Sequence, residues 1–222
     1  MKAMILAAGR GERLRPLTDC IPKPLVCIAK KPLIVYHIEN LVSIGVKDIV
    51  INLAWLGEKI PEALGSGDKW GVRLHYSYEK EALDTGGGIK QALTFLGNEP
   101  FLVVNGDVFI DELPIIPVLK KDEQAYVWLV DNPCHNLAGD FALSDGKISD
   151  SGLFKLTFSG IGLYRPALFL QCHKSRFPLA RLLRDGMQKG NVVGGHMVTF
   201  WCDVGTVERL VALEERQAYL LS

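Results

Sequence analysis

The sequence of 222 residues carries no surplus of charge of either sign, with Lys plus Arg and Asp plus Glu at 25 each. That removes the basic excess by which nucleic-acid-binding proteins and proteins of acidic membrane surfaces usually declare themselves. Any anion must then be held by local clustering. There is also no C-x-x-C pair: Cys20, Cys27, Cys134, Cys172 and Cys202 are odd in number and scattered, which indicates neither a disulfide framework nor a zinc site and fits a reducing cytosol. His135, His173 and His196 lack metal-ligand spacing. No apolar run approaches ~18 residues, and the short one at the N-terminus meets glycines and arginines too soon for a signal peptide or a membrane span. A soluble, cytoplasmic protein is expected, forming a single domain over residues 1–222. The two best-known nucleotide loops are missing as well. No Gly-Lys-Ser/Thr occurs, and Leu14 stands where a dinucleotide fingerprint requires its third glycine.

What is present is Leu-Ala-Ala-Gly-Arg-Gly-Glu-Arg-Leu-Arg-Pro over Leu6 to Pro16, directly after the apolar run Ala3-Met4-Ile5. An apolar run ending in glycines reads as a buried strand opening into a loop, and such a loop can present bare backbone N–H groups to an anion. Ala8, Gly9 and Gly11 would supply those groups. Arg10, Arg13 and Arg15 lie close enough to add guanidinium forks to the same polyanion. The alternative is an ordinary strand-to-loop turn with solvated arginines. Farther on, Pro22 and Pro24 bracket Lys23 and fix the backbone on both sides of it. Lys23 is therefore either an aimed cation or a surface lysine in a proline-rich turn.

The periodicity predicts a helix over Pro32 to Ile44, a strand over Asp48 to Leu53, a helix over Trp55 to Leu64 despite Pro61, and a strand over Val72 to Tyr78. Strand-helix-strand order favours a parallel sheet. Trp55 and Trp70 read as packing residues. Asp84-Thr85-Gly86-Gly87-Gly88 opens a helix carrying Ile89, Ala92, Leu93 and Leu96, and its glycines would admit a planar ligand closely. Phe101 to Val104 is a continuous apolar run ending in Asn105-Gly106-Asp107. Ligands of open α/β sheets collect at such strand ends, which puts Asp107 beside the cradle. A carboxylate facing phosphate oxygens makes sense with a divalent cation between them; a helix cap is the competing role. Gln124 to Val130 reads as a strand. Gly139 to Leu143 and Gly146 to Ile148 read as two short strands around a Ser-Asp-Gly turn. Pro178 to Met187 reads as a helix with a solvated cationic face of Arg181 and Arg184. Trp201-Cys202-Asp203-Val204-Gly205-Thr206 precedes a long helical pattern to Leu221.

Leu6 to Pro16 followed by Pro22-Lys23-Pro24-Leu25 is similar to the signature of the sugar-1-phosphate nucleotidyltransferases, the nucleotide-sugar pyrophosphorylases. The resemblance implies a Rossmann-like α/β fold with a mixed, mainly parallel sheet flanked by helices. It implies transfer of a nucleotidyl group from a nucleoside triphosphate to a sugar 1-phosphate, with Mg²⁺ as cofactor and pyrophosphate as the second product. By that resemblance Arg13 meets the triphosphate, Lys23 the phosphates of donor and acceptor, and Asp107 and Asp203 the metal. Thr85 and Gly86 are candidates for the base, with Glu81 beside them, and Asn105, Asp140 and Ser159 for the sugar. The Glu-Lys pair that many hexose-specific relatives carry before Thr157-Phe158-Ser159-Gly160-Ile161-Gly162 is absent. Taken whole, the chain most resembles the short N-acetylmuramic acid 1-phosphate uridylyltransferases, which makes UTP the expected donor. Mannose-1-phosphate guanylyltransferases, choline-phosphate cytidylyltransferases and a catalytically silent nucleotide-binding homologue are the alternatives. No hexapeptide repeat is seen, so the C-terminal β-helix of longer relatives is not expected. A monomer or small homo-oligomer is expected.

Overall fold

The computed structural model describes residues 1–220. In chain order the strands are β1 (Lys2–Leu6), β2 (Cys27–Ile28), β3 (Lys31–Pro32), β4 (Asp48–Leu53), β5 (Arg73–Tyr78), β6 (Phe101–Asn105), β7 (Val108–Ile110), β8 (Ala125–Val130), β9 (Phe141–Ser144), β10 (Lys147–Ser149), β11 (Lys155–Tyr164), β12 (Val192–His196) and β13 (Trp201–Asp203). The α-helices are α1 (Leu17–Cys20), α2 (Leu33–Ser43), α3 (Lys59–Leu64), α4 (Asp84–Leu96), α5 (Ala167–Leu170), α6 (Leu179–Gln188) and α7 (Val207–Leu220). Among the described residues nine strands form one sheet in the order β5-β4-β1-β6-β11-β8-β12-β10-β9. The run β5-β4-β1-β6 is parallel throughout. Beyond it the sheet is mixed, with β11 antiparallel to both β6 and β8. This is the mixed, mainly parallel sheet between helices that the sequence predicts.

The strands are buried on both faces because their apolar residues alternate between two cores. Ala3, Ile5, Ile49, Ile51, Leu102 and Val104 pack with Ile34, Ile38 and Leu41 of α2. Their neighbours Met4, Val50, Phe101 and Val103 pack with Ile89, Ala92 and Leu96 of α4 and with Leu182 and Leu183 of α6. A two-residue period on the strands and a helical period on the partners is what such a three-layer packing requires. Truncating one of these fully buried side chains, Ile5 for example, would cost about 2–5 kcal/mol.

A third, smaller core carries the functional geometry. Val26, Ile28 and Leu33 pack with Phe109, Val204, Leu210 and Leu213, so α7 folds back over the β7–β13 ribbon. That ribbon is antiparallel and sets Asp203 opposite Val108. Neither β7 nor β13 is announced by the sequence, since three residues are too few to show a period.

The predicted helix from Trp55 is shorter than its apolar pattern suggests. Residues 55–58 form turns, with Leu56 at φ +49°, and the helix begins at Lys59. Pro61 is then the third helical residue, inside the first turn, where its missing N–H deprives no intrahelical bond. The last position of the predicted C-terminal helix, Leu221, lies outside the described residues. Among the described residues no helix is long and apolar enough to cross a membrane.

His37, on α2, is fully buried and its Nε2 has no hydrogen-bond partner among the described residues. Burial pushes its pKa down to about 4, against the opposing pull of a hydrogen bond to the Val108 backbone and the charge of Asp107. The imidazole is therefore neutral in the folded protein while the unfolded chain protonates near pH 6.5. Stability present above that value falls as the pH drops from about 6.5 toward 4, because the unfolded state binds the extra proton. His37→Asn is expected to show a shallower loss of urea midpoint between pH 7 and pH 4.5 than the natural chain. Parallel slopes would show that His37 is not the group responsible.

Candidate active site

The C-terminal ends of β1, β4 and β6 converge on a cleft of about 640 Å³, in the range of small-molecule sites. Its floor is the loop after β1. Ala7, Ala8, Gly9, Arg10, Gly11, Glu12 and Arg13 all line it. Gly11 sits at φ +67°, and a Cβ there would stand 3.0 Å from Thr18 Cγ2 and 3.1 Å from Lys23 Cβ. Only glycine both takes that backbone conformation without strain and lets the turn close against these neighbours. Gly9, by contrast, has open space where a Cβ would be, so its bare backbone faces the cleft.

The loop is held from the neighbouring strand. Asn52 is buried near the end of β4 and accepts a hydrogen bond from the backbone N–H of Ala7 at 2.8 Å. Its amide donates to Glu79 Oε1 at 2.7 Å. The other Glu79 oxygen accepts from Leu83 N at 3.0 Å, at the entry to α4. Glu79 is only 8 % exposed, yet it lines the cleft together with Ala82, Asp84 and Thr85. Asn52 and Glu79 were not singled out by sequence reasoning. The available signals were an amide inside an apolar strand and an acid directly after an alternating one.

Lys23 projects from the turn between its two prolines and is buried, with its ammonium 2.9 Å from Asp107 Oδ2. Asp107 lies in the turn between β6 and β7, with no helix after it to cap. Its side chain is 42 % exposed toward the cleft. The β7–β13 ribbon and a hydrogen bond from Val204 N to the Asp107 carbonyl at 2.8 Å bring Asp203 alongside. Gly205 lines the cleft but Asp203 itself does not. Both its oxygens accept from Arg209 Nη1, at 2.6 and 2.7 Å, and His135 Nε2 is 3.0 Å from Oδ1. Arg209 and His135 are thus the partners of Asp203, and no motif in the sequence pointed to them.

Of the residues that sequence analysis picked out, Ala8, Gly9, Gly11, Arg13, Lys23, Thr85, Asn105 and Asp107 line this one cleft. Gly86, Asp140, Ser159 and Asp203 do not. The Gly86 N–H donates to the Phe177 carbonyl at 3.0 Å, and the Thr85 hydroxyl accepts from Leu179 N at 2.9 Å, so both tie α4 to the start of α6. Asp140 accepts from Phe158 N at 2.8 Å. The Ser159 hydroxyl is fully buried and donates to the Trp128 carbonyl at 2.8 Å, at the bulge of β11. Among the described residues no group of three His, Cys, Asp or Glu could hold a metal ion. Two carboxylates from adjacent strand ends remain. A hard cation that takes its other ligands from phosphate oxygens and water needs no more protein than that.

The family model for nucleotidyl transferases matches residues 2–128. The chain is 50 % identical over 220 residues to an N-acetylmuramate alpha-1-phosphate uridylyltransferase of Neisseria meningitidis serogroup B, covering 95 % of both chains. It is 29 % identical over 221 residues to a mannose-1-phosphate guanyltransferase beta-A of Xenopus laevis, covering 92 % of this chain and 61 % of that longer protein. Among solved structures it superposes on a UDP-glucose pyrophosphorylase complexed with UDP-glucose at a TM-score of 0.77 and 18 % identity, covering 99 % of this chain and 98 % of that one. It also superposes on HddC from Yersinia pseudotuberculosis at a TM-score of 0.76 and 24 % identity, over 97 % of this chain and 99 % of that one. These two likenesses concern the fold alone.

Because Asp107 is partly solvated and Asn preserves its shape, Asp107→Asn is expected to melt within a few degrees of the natural chain. Turnover should fall about 10²-fold or more, the loss expected when the carboxylate that would hold a charge-stabilising cation becomes a neutral amide. Thermal melting and an activity assay on the same preparation test this. A variant that lost its fold together with its activity would mark Asp107 as structural.

Proposed function

The chain belongs to the nucleotidyl transferase family, and we propose that it transfers a uridylyl group from UTP to N-acetylmuramic acid 1-phosphate, giving UDP-N-acetylmuramic acid and pyrophosphate. The observation that carries this reading is the 50 % identity to the Neisseria protein, because it runs over 95 % of both chains. It thus includes the second half, beyond residue 128, that the family match leaves untouched. That half brings Gly205 to the cleft and Asp203 alongside Asp107. Transfer to a sugar 1-phosphate by a chain with this fold fits a soluble protein of the cytosol acting as a monomer or small homo-oligomer.

The acceptor phosphate is already an oxygen nucleophile, so the protein needs neither a covalent intermediate nor a strong base. Its task is alignment and charge neutralisation. The acceptor oxygen attacks the α-phosphorus, the bond to the β-phosphate breaks, and pyrophosphate leaves with the electron pair. In this reading the N–H groups of Ala8, Gly9 and Gly11 and the guanidinium of Arg13 cradle the triphosphate. Lys23 spans donor and acceptor phosphates. Asp107, open on the cleft, would hold a Mg²⁺ ion as a hard oxygen donor, and Asp203 would join it on releasing Arg209, from whose Nη1 both its oxygens accept. When bound that ion supplies positive charge at the α-phosphate. Thr85 and Gly86 place the base loop. Asn105, Asp140 and Ser159 belong to the sugar side, the last two by shaping β11 behind it.

Glu79 gives the site a chemical preference among bases. Each carboxylate oxygen already accepts one hydrogen bond and keeps a further lone pair. Uracil and guanine offer a ring N–H to such an acceptor. Cytosine and adenine offer a ring nitrogen acceptor there, which would leave buried acceptors face to face. This favours UTP over CTP and ATP and keeps guanylyl transfer to mannose 1-phosphate as the second reading, in line with the Xenopus relative.

Pyrophosphate release with Mg²⁺, testing UTP, GTP, CTP, dTTP and ATP each against the 1-phosphates of N-acetylmuramic acid, N-acetylglucosamine, glucose and mannose, is expected to be highest with UTP and the muramic sugar. Release with GTP and mannose 1-phosphate alone would replace this reading with the second. A folded protein that binds nucleotide and releases nothing would be a silent homologue. Glu79→Gln is expected to reduce the preference for UTP over CTP by about tenfold or more. An unchanged ratio of kcat/KM values would remove Glu79 from base selection.

A further inference from the structure

Three arginines, Arg10, Arg13 and Arg15, fall within one six-residue stretch after β1, and the structure separates them. Arg15 is engaged with Asp19 at 2.9 Å and does not line the cleft. Arg13 lines it. Arg10 lines it too, and its guanidinium carbon lies 4.5 Å from the ring centroid of Trp55. Its one ion pair among the described residues is a long contact to Glu12 at 3.9 Å, between side chains 48 % and 69 % exposed. A guanidinium resting on a ring face keeps its N–H donors in its own plane, directed away from the ring. Arg10 therefore has its charge and donors free at the edge of the phosphate loop.

Trp55 is fastened to the same loop by a second route. Its indole N–H donates to the Thr18 carbonyl at 3.1 Å, and the Thr18 hydroxyl donates to the Gly11 carbonyl at 2.8 Å. Gly11 adjoins Arg10, so the contacts form a closed circuit: Arg10 on Trp55, Trp55 on Thr18, Thr18 on Gly11. We propose that Trp55 is a positioning residue that holds Arg10 over the cradle as a second triphosphate cation beside Arg13. Lys could supply the charge at that place but not the planar stack. The end of β4 thus supports the loop from both sides, through Asn52 at Ala7 and through Trp55 at Arg10.

This inference rests on the family's triphosphate chemistry and not on the choice of base or sugar. The test is equilibrium binding of UTP and of UMP, with Mg²⁺, to the natural chain and to Arg10→Ala, Arg10→Lys, Trp55→Phe, Trp55→Leu and the double variant Arg10→Ala/Trp55→Leu. Each variant's melting curve is recorded alongside. Arg10→Ala and Trp55→Leu are expected to weaken UTP about three- to tenfold, the size of a desolvated cation–ring contact or one charge-assisted hydrogen bond, and to leave UMP within about twofold. Trp55→Phe should recover most of the loss, and Arg10→Lys should fall between. Trp55→Leu should add nothing in the Arg10→Ala background. Equal losses for UTP and UMP, or the same Trp55→Leu effect with and without Arg10, would overturn the proposal and leave Trp55 a packing residue. If the natural chain binds another triphosphate in place of UTP, the base assignment fails, and the same comparison with that nucleotide's tri- and monophosphates decides the role of Trp55.

Discussion

The cleft depends on one buried side chain, Asn52. It sits where three strands of the parallel run end, and its amide group satisfies a backbone donor on one side and a carboxylate on the other. A buried Ala7 N–H without a partner would be costly, and a buried Glu79 without a donor more so. One residue removes both penalties. In doing so it ties the glycine loop after β1 to the loop before α4. Gly88 confirms how tight that arrangement is: a Cβ there would stand 2.6 Å from Glu79 Oε1 and 2.9 Å from Asn52 Nδ2. The helix must lack a side chain at that point for the network to fit.

A second constraint fixes the carboxylate side of the cleft. Lys23 and Asp107 are 84 residues apart and Asp203 is a further 96, yet the small core under α7 gathers their backbones. Lys23 is paired with Asp107, and Asp203 with Arg209 and His135. These paired groups hold one another in place, while Arg10 and Arg13 line the cleft. Groups held in place this way are oriented before any ligand arrives, which is the condition for electrostatic preorganisation.

The two halves of the chain divide the work. The parallel half, through β6, presents the cradle, Asn52, Glu79 and Asp107 at strand ends, as open α/β sheets generally do, and Lys23 from the proline-bracketed turn beside them. The mixed half after it returns β11 into the middle of the sheet, between β6 and β8. Asp140 and Ser159 act there on the backbone of β11, through Phe158 N and Ile161 N. Polar residues that resemble a family's sugar contacts thus hold the backbone of β11, the neighbour of β6, and do not themselves reach the cleft.

The sequence alone determined the elements with long periods and the motifs with rigid punctuation. The β1, β4 and β6 strands, the helices α2, α4 and α6, and the cradle with its proline-bracketed lysine were all legible, because apolar periodicity and glycine or proline geometry act locally. Tertiary structure decided what locality cannot encode. The helix predicted from Trp55 yielded its first four residues to turns, and in that position Trp55 meets Arg10 and Thr18. Asn52 and Glu79 became a pair only because parallel strands align their ends in register. Arg209 and His135 reached Asp203 only because α7 packs back over a ribbon of three-residue strands. A charge or amide has no period and no preferred neighbour in sequence. Its role is set by which groups of opposite polarity the packed chain leaves within hydrogen-bond reach, and that is a property of the fold.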